Sequence, residues 1–308
     1  IMDNPPPDIF SDDPEELLAL ATLGSRFRKM DKRTLHNAVR LLTGSVADFL
    51  DDYFESDILK GYLASSAIIG TKVGPRSQGS GLVLLYHSLG EHDGEFGAWS
   101  FHKGGNGGVT QTLARAARAF GAEIILESPV HEVITKNGRA VGVALEDGTE
   151  FHANTVVSAL DPRRTFLELV SPRELPDDLV ESINRYRFQG TSSKVNFALD
   201  GLPEYPALPG RGDQFRGFTN IGPSMDYLER AFDEAKYGWY SQRPYIDTAI
   251  QSTIDPDMAP PGKHVMSCFI QYTPYKLRES DWDTERQNLG DTVQATLESF
   301  FPGFGKLV

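Results

Sequence analysis

The pairs Asn137-Gly138 and Asp147-Gly148 constrain the fold most, because each follows a short run of β-branched and apolar residues. Asparagine, aspartate and glycine accept the positive φ angles that tight hairpin turns require. The β-rich runs around these turns are residues 123–126, 130–135 and 140–145. We therefore expect a β-meander with two hairpins, and the apolar run 155–160 predicts a buried strand after it.

Helices are predicted where a capping residue precedes apolar residues at helical spacing. Asp13 before Pro14 is such a start, and Gly121 marks the end of a helix over 109–120. Asp161 is expected to cap a helix that begins at Pro162. Further helices are predicted at 32–42, 46–50, 284–301 and from 177 onward, and further strands at 193–199, 246–254 and 265–272. Together these elements predict an α+β fold with a mixed sheet covered by helices.

The formal net charge of -13 and the single cysteine exclude several classes of function. A negative surface repels nucleic-acid phosphates, so no nucleic-acid partner is expected. Cys268 alone forms neither an internal disulfide nor a multi-thiolate metal site, and no metal is predicted. No apolar run approaches the ~18 residues that a membrane span needs.

Four motifs that would reveal a chemistry do not occur in the sequence: Gly-x-Gly-x-x-Gly, Gly-x-x-x-x-Gly-Lys, His-Glu-x-x-His and Gly-x-Ser-x-Gly. The first matters most, because dinucleotide binding needs glycine backbone close to the pyrophosphate. No catalytic residue is assigned from the sequence.

The segment from Trp99 to Gly108 is the strongest local candidate for a ligand site. Its glycines, Gly104, Gly105, Gly107 and Gly108, would let a ligand lie against bare backbone in front of the helix at 109–120. The alternative is a flexible loop before a helix, because glycine clusters without fixed spacing are weak signals.

Seven stretches, taken in order and spacing, carry a resemblance to a known family. They are residues 79–87, 99–120, 130–133, 138–148, 156–162, 255–265 and 271–275. Together they resemble the central region of phytoene-dehydrogenase-related FAD-dependent oxidoreductases. The resemblance covers nearly the whole chain, and its combination of motifs is specific.

The resemblance implies a substrate domain together with the middle segment of a discontinuous FAD-binding domain. It places the substrate domain at 1–98 and 166–308, and the FAD-binding segment at 99–165. Contacts to the cofactor are implied for eight residues: Gly104, Gly105, Gly107, Gly108, Val130, Val133, Ala159 and Asp161.

FAD is implied for the full-length protein. The 308 residues alone are expected to be inactive and to hold no FAD tightly, because the family's two glycine-rich FAD motifs do not occur in them. The chain is expected to be incomplete at both ends.

Substrate contacts are predicted at Tyr86, His87, Trp99 and His102, which flank the glycine-rich segment. They would line an open groove, with Tyr86 and His87 on a strand and the apolar run 82–85 as its wall, although core or surface positions are equally compatible with these residues. The implied function is hydride transfer from an apolar substrate to flavin. The alternative is a non-catalytic interaction or regulatory protein on the same framework, with a protein as its partner. The implied compartment is the cytoplasm in a bacterium and the mitochondrion in a eukaryote.

Overall fold

A computed structural model describes residues 7–97 and 99–308. The described chain divides into two units. The first is formed by the residues up to Gly108 together with Gln189–Val308, and the second is Val109–Phe188. In the described residues, no helix is both long enough and apolar enough to cross a membrane.

Five helices open the first unit, and their starts follow from capping residues. The helices are α1 (Pro14–Lys29), α2 (Lys32–Thr43), α3 (Val46–Asp51), α4 (Asp57–Ser65) and α5 (Ser80–His87). Asp13 accepts a hydrogen bond from the Glu15 N–H at 2.8 Å, as the sequence predicts for the start of α1. The side chains of Asp31, Ser45 and Ser56 cap α2, α3 and α4 in the same way. The predicted helices at 32–42 and 46–50 are thereby confirmed.

A four-stranded antiparallel sheet forms the centre of the first unit, with the strand order β6-β9-β8-β7. Its strands are β6 (Ser192–Leu199), β7 (Phe218–Ile221), β8 (Tyr245–Ala249) and β9 (His264–Gln271). Two helices, α8 (Met225–Lys236) and α9 (Trp282–Phe300), and a two-stranded hairpin, β1 (Glu91–His92) with β2 (Glu95–Phe96), complete the unit. The strands predicted at 193–199 and 265–272 and the helix at 284–301 are confirmed. The predicted strand 246–254 ends at Ala249, where a 3-10 turn follows.

The sheet has two different faces because side chains alternate along each strand. One face is apolar and packs against α9, where Met266, Cys268 and Ile270 meet Val293 and Leu297. The other face carries polar side chains. This difference positions the site described below.

A second core joins the opening helices to α8 and to the end of the sheet. It contains Val46, Leu50, Ile68, Leu228 and Tyr272, all of them buried. The fully buried Gln271 connects this core to the segment after α4: its side chain accepts from the Gly70 N–H at 3.0 Å and donates to the Ile68 carbonyl at 2.5 Å. Polar groups inside a core need such partners.

The second unit contains most of α6 (Gly105–Ala119), a three-stranded antiparallel sheet and α7 (Asp177–Arg185). The sheet has the order β3 (Val130–Lys136), β4 (Arg139–Leu145) and β5 (Glu150–His152). Asn137 and Gly138 both have positive φ, at 52° and 72°, and Gly148 has φ 84° in the second turn. The two predicted hairpins and the helix after residue 176 are therefore confirmed.

Two predicted strands of this region are wrong. Residues 123–126 and 155–160 form neither helix nor strand and pair with no strand of the described chain. Their side chains also lack the burial of a sheet strand, since Leu126 is 76% exposed and Val157 is 87% exposed. High β-propensity does not make a strand without a neighbour to complete the ladder.

Three other expectations need correction. The predicted strand through Tyr86 and His87 is the helix α5, whose first residue, the buried Ser80, accepts from the Val46 N–H at 2.8 Å. The expected mixed sheet is wrong for the described residues, in which every strand pair is antiparallel. The glycine-rich segment is a loop only in part, because Gly107 and its neighbours form the first turn of α6.

Candidate functional site

A cavity of about 1230 Å³ lies within the first unit, over the polar face of the four-stranded sheet. Its floor consists of residues from β6, β7, β8 and β9. Its walls come from α4, α5, Gly97, residues 99–106 and the turn at 254–258. The volume suffices for a substantial organic molecule.

One row of side chains crosses the floor from strand to strand. The strand register pairs Lys194 with Phe269, Phe269 with Asp247, and Asp247 with Asn220. Residues paired across neighbouring strands point to the same face, so the row runs Lys194, Phe269, Asp247, Asn220. All four side chains line the cavity.

Hydrogen bonds fix the polar members of this row. The Asn220 side-chain amide donates to Asp247 Oδ1 at 2.9 Å and to the Tyr245 hydroxyl at 2.8 Å. The Lys194 ammonium donates to Ser267 Oγ at 3.0 Å. Burial raises the pKa of Asp247 to about 7, and the Lys194 cation opposes this rise. A carboxyl group that titrates near neutrality can both accept and donate a proton.

Aromatic rings form one wall of the cavity. Phe101 stacks on Phe218 with ring centroids 5.4 Å apart, and Trp99 meets Phe218 edge-on at 6.4 Å. Phe218 lies two residues before Asn220 on the same strand and therefore on the same face. The cavity thus combines an aromatic wall with a polar floor.

The glycine-rich segment borders the cavity and is anchored by the turn beneath it. The Gly104 N–H donates to Asp255 Oδ2 at 2.7 Å. Gly104 and Gly105 have φ angles of 78° and 63°, a region that L residues with side chains rarely adopt. At Gly108, an added Cβ would lie 2.2 Å from the Lys103 carbonyl oxygen. Bare backbone is therefore a structural requirement at this edge of the cavity.

Eight of the predicted site residues lie in the first unit, and all eight were expected at the cavity. Trp99, His102, His87 and Gly105 do line it, and Leu84 represents the apolar run 82–85. Tyr86 does not line it and is 65% exposed. The remaining glycines of the predicted cofactor set, Gly104, Gly107 and Gly108, shape the backbone beside the cavity without lining it.

The other four predicted cofactor residues belong to the second unit. Val130 and Val133 lie on β3, and Ala159 lies in the segment 155–160, which forms neither helix nor strand. Asp161 accepts a hydrogen bond from the Arg164 N–H at 3.1 Å, which confirms it as a helix cap. A contact of these four residues with a cofactor stays a prediction.

Sequence reasoning missed the polar floor, namely Lys194, Asn220, Tyr245 and Asp247. A signal was present in β8, where Asp247 interrupts the otherwise apolar or uncharged run Tyr245–Ala249. A charged residue in the middle of a buried strand indicates a functional or paired group. Its partners Lys194 and Asn220 could not be read from the sequence, because they come from two other strands.

The described residues offer neither a metal-binding group nor a reactive thiol. No group of three or more His, Cys, Asp or Glu side chains in them could hold a metal ion. Cys268 points into the apolar core, and burial raises the pKa of its thiol to about 12. A thiol with such a pKa is unreactive at neutral pH.

Comparisons with known proteins identify the family of this chain. A family model described as "Flavin containing amine oxidoreductase" matches residues 10–304. The chain belongs to this family of FAD-dependent oxidoreductases, which confirms the resemblance drawn from the sequence.

Two relatives illustrate the range of the family. The chain is 40% identical over 277 residues to pyridine nucleotide-disulfide oxidoreductase domain-containing protein 2 of Mus musculus, which covers 87% of this chain and 48% of that protein. It is 25% identical over 224 residues to phytoene desaturase (lycopene-forming) of a Paracoccus species, which covers 71% of this chain and 41% of that protein. The chain thus spans about half the length of the curated relatives it matches.

Solved structures support the fold. An oxidoreductase from Methanosarcina mazei superposes with a TM-score of 0.58 at 16% identity, over 96% of this chain and 59% of that one. The PF1083 protein from Pyrococcus furiosus superposes with a TM-score of 0.52 at 13% identity, over 87% of this chain and 61% of that one.

Proposed function

We propose that the full-length protein is an FAD-dependent oxidoreductase that transfers hydride from a largely apolar substrate to flavin. The cavity of the first unit would hold the substrate. The observation that carries this proposal is the combination of an aromatic wall, a titratable carboxyl group and bare glycine backbone around one cavity of about 1230 Å³. By resemblance to the family, residues 1–98 and 166–308 would form the substrate domain, and residues 99–165 would form the FAD-binding segment.

The residues present fit one side of a flavin. Gly105 lines the cavity with a positive φ, and the Asp255 carboxylate fixes the backbone just before it. A planar ring system could therefore approach bare backbone at this edge, beside the Met258 side chain, whose Cε lies 3.4 Å from where a Gly105 Cβ would be. Gly104, Gly107, Gly108, Val130, Val133, Ala159 and Asp161 complete the proposed cofactor contacts. Flavin would supply the hydride acceptor.

The chain's own residues would orient the substrate and exclude water. Trp99, Phe101 and Phe218 offer aromatic surface to an apolar body, and His102 and His87 border the same space. Holding a C–H bond in a fixed position is the main contribution a protein makes to such a reaction. By resemblance, the compartment would be the cytoplasm in a bacterium and the mitochondrion in a eukaryote.

The proposal can be tested on the full-length gene product with the variants Trp99→Ala, His102→Ala and Gly105→Val. Gly105→Val should lower flavin content most, because a β-branched residue cannot adopt the positive φ of Gly105. Trp99→Ala should keep the flavin and weaken substrate-dependent flavin reduction. Tyr275→Ala is a matched control, since Tyr275 is 64% exposed, close to the 65% of Trp99, and lies off the cavity. Unchanged flavin content and reduction in all three variants would refute the proposal.

The second candidate is a non-catalytic interaction or regulatory protein that keeps the flavoprotein framework. Its support is the exposed apolar surface of the segments 123–126 and 155–160, which a partner could cover. The colour of the purified full-length protein separates the two candidates. A flavin absorption band supports the enzyme, and a colourless protein supports the interaction role.

A further inference from the structure

The polar floor of the cavity conflicts with a substrate that is purely hydrocarbon. Lys194, Asp247 and Asn196 line the cavity from the strands beneath it. A hydrocarbon that covered them would remove water from each group and return no hydrogen bond. Each such loss weakens binding by a factor of roughly five to a hundred. The floor therefore favours a ligand that carries a polar group.

Asp247 supplies the carboxyl group of the floor, and one of its two oxygens accepts a hydrogen bond within the described chain. Its Oδ1 accepts from the Asn220 amide at 2.9 Å, and the same amide nitrogen also donates to the Tyr245 hydroxyl. Among the residues that the structure describes, no donor lies within hydrogen-bonding distance of Asp247 Oδ2. Lys194 is held two strands away by Ser267, at 3.0 Å. Asp247 lines the cavity and its Oδ2 is not among the fully buried unpaired atoms of the described chain, so this oxygen is open to a donor on a bound ligand.

We propose that Asp247 recognises the hydroxyl group of an alcohol whose apolar body packs against Phe101 and Phe218. The ligand O–H would bond to Asp247 Oδ2, and its hydrocarbon part would cover the aromatic wall. This inference rests on the proposed function in one respect, since it names the substrate class for the same cavity.

A hydroxyl group fits Asp247 better than a charged group does. With a pKa of about 7, the carboxyl group is neutral in part of the molecules and ionised in the rest at neutral pH. A hydroxyl both donates and accepts, so it matches either form, whereas an ammonium matches only the ionised form and a carboxylate only the neutral form. Lys194 on the same row also repels a second cation.

The other ionisable groups that line the cavity do not form hydrogen bonds with the Asp247 carboxyl group in the described part of the chain. Those that line the same cavity are Lys194 of β6, Tyr245 of β8, Tyr62 of α4, His87 of α5, and His102 and Asp255 of the loops. Lys103 and Asp257 form an exposed ion pair at 3.6 Å. None of them has a hydrogen bond or ion pair with Asp247 in the described part of the chain.

The test compares four probes of one size: 2-phenylethanol, ethylbenzene, 2-phenylethylammonium and phenylacetate. Their affinities for this chain are measured at neutral pH by ligand-observed NMR, without flavin. We expect 2-phenylethanol to bind about fivefold more tightly than ethylbenzene, the value of one hydrogen bond. Asp247→Leu should abolish this preference. Asp247→Asn should retain part of it, because its amide still bonds a hydroxyl.

Asp200→Leu is the matched control, because it removes an exposed carboxylate that lies off the cavity and pairs with Lys263, and it should leave the preference for alcohol over ethylbenzene unchanged. Circular dichroism of each variant verifies the fold. If Asp247→Leu does not fold, Asp247→Asn tests the proposal instead. Its preference for 2-phenylethanol over ethylbenzene should then be smaller than that of the unchanged protein.

Four results would overturn the proposal. The first is equal affinity for 2-phenylethanol and ethylbenzene, and the second is no binding of any probe at millimolar concentration. The third is that 2-phenylethylammonium binds most tightly and Asp247→Asn loses this binding. The fourth is that phenylacetate binds most tightly and the variant Lys194→Met loses this binding. Flavin content of the full-length protein is a separate measurement. A flavin-containing protein without the alcohol preference fails this inference alone, and a flavin-free protein with the preference fails only the proposed function.

Discussion

Replacing Asp247 by asparagine should remove a pH-dependent loss of stability. Burial raises the pKa of this carboxyl group from 3.8 to about 7 in the folded protein. Between these values the folded state binds a proton that the unfolded state has released. A raised carboxyl pKa therefore adds stability that is fully present below the unfolded pKa and is lost as pH rises to the folded pKa.

The size of the effect follows from the shift in pKa. A shift of about three pKa units corresponds to roughly 4 kcal/mol in the free energy of unfolding. Of this, about 2–3 kcal/mol would be lost between about pH 5 and pH 8. Asp247 is partly exposed to the cavity, so solvent screening makes this figure an upper limit. Asparagine keeps the acceptor oxygen for Asn220 and carries no charge.

The assay is urea unfolding of both proteins at several pH values across this range. All other ionisable groups are common to both proteins, so their effects cancel in the difference. The stability of Asp247→Asn relative to the unchanged protein should rise with pH. Asp200→Asn serves as a control, since Asp200 is exposed and pairs with Lys263 at 2.6 Å, and should show no such rise. A difference between Asp247→Asn and the unchanged protein that stays constant with pH would refute the reasoning.

Three further variants probe the scaffold. Gly108→Ala should lower the melting temperature by circular dichroism because its Cβ would lie 2.2 Å from the Lys103 carbonyl oxygen, whereas Gly107→Ala, with no atom within 4 Å, should not. Equal melting temperatures would contradict this. Gln271→Leu should lower the free energy of unfolding in urea by about 2–4 kcal/mol, because it leaves backbone groups unpaired; a loss below about 1 kcal/mol argues against it. Leu228→Ala should lower it by about 2–5 kcal/mol by opening a cavity in the second core, and a neutral result would place Leu228 outside that core.

Most local structure of this protein follows from the sequence. Asp13 before Pro14 determines where α1 begins, and Asn137-Gly138 determines the hairpin between β3 and β4. These signals depend on residues within one or two turns of each other, so they act before any tertiary contact forms. The family resemblance also depends only on the order of such segments.

The sequence alone misassigned elements whose state depends on distant partners. The run that ends in Tyr86-His87 has a strand-like composition, yet Ser80 bonds to Val46 and the segment becomes α5. The segments 123–126 and 155–160 have strand propensity but no neighbouring strand in the described chain. Propensity is a weak preference that tertiary context overrides.

The candidate site was found in part from the sequence and in part only from the tertiary structure. Trp99, His102 and Gly105 were accessible to sequence reasoning, because they are close together in one glycine-rich segment. The row from Lys194 to Asn220 was not, because it joins four strands through their register. Pairing of distant strands decides which side chains meet, and burial in the resulting cavity then gives Asp247 its raised pKa.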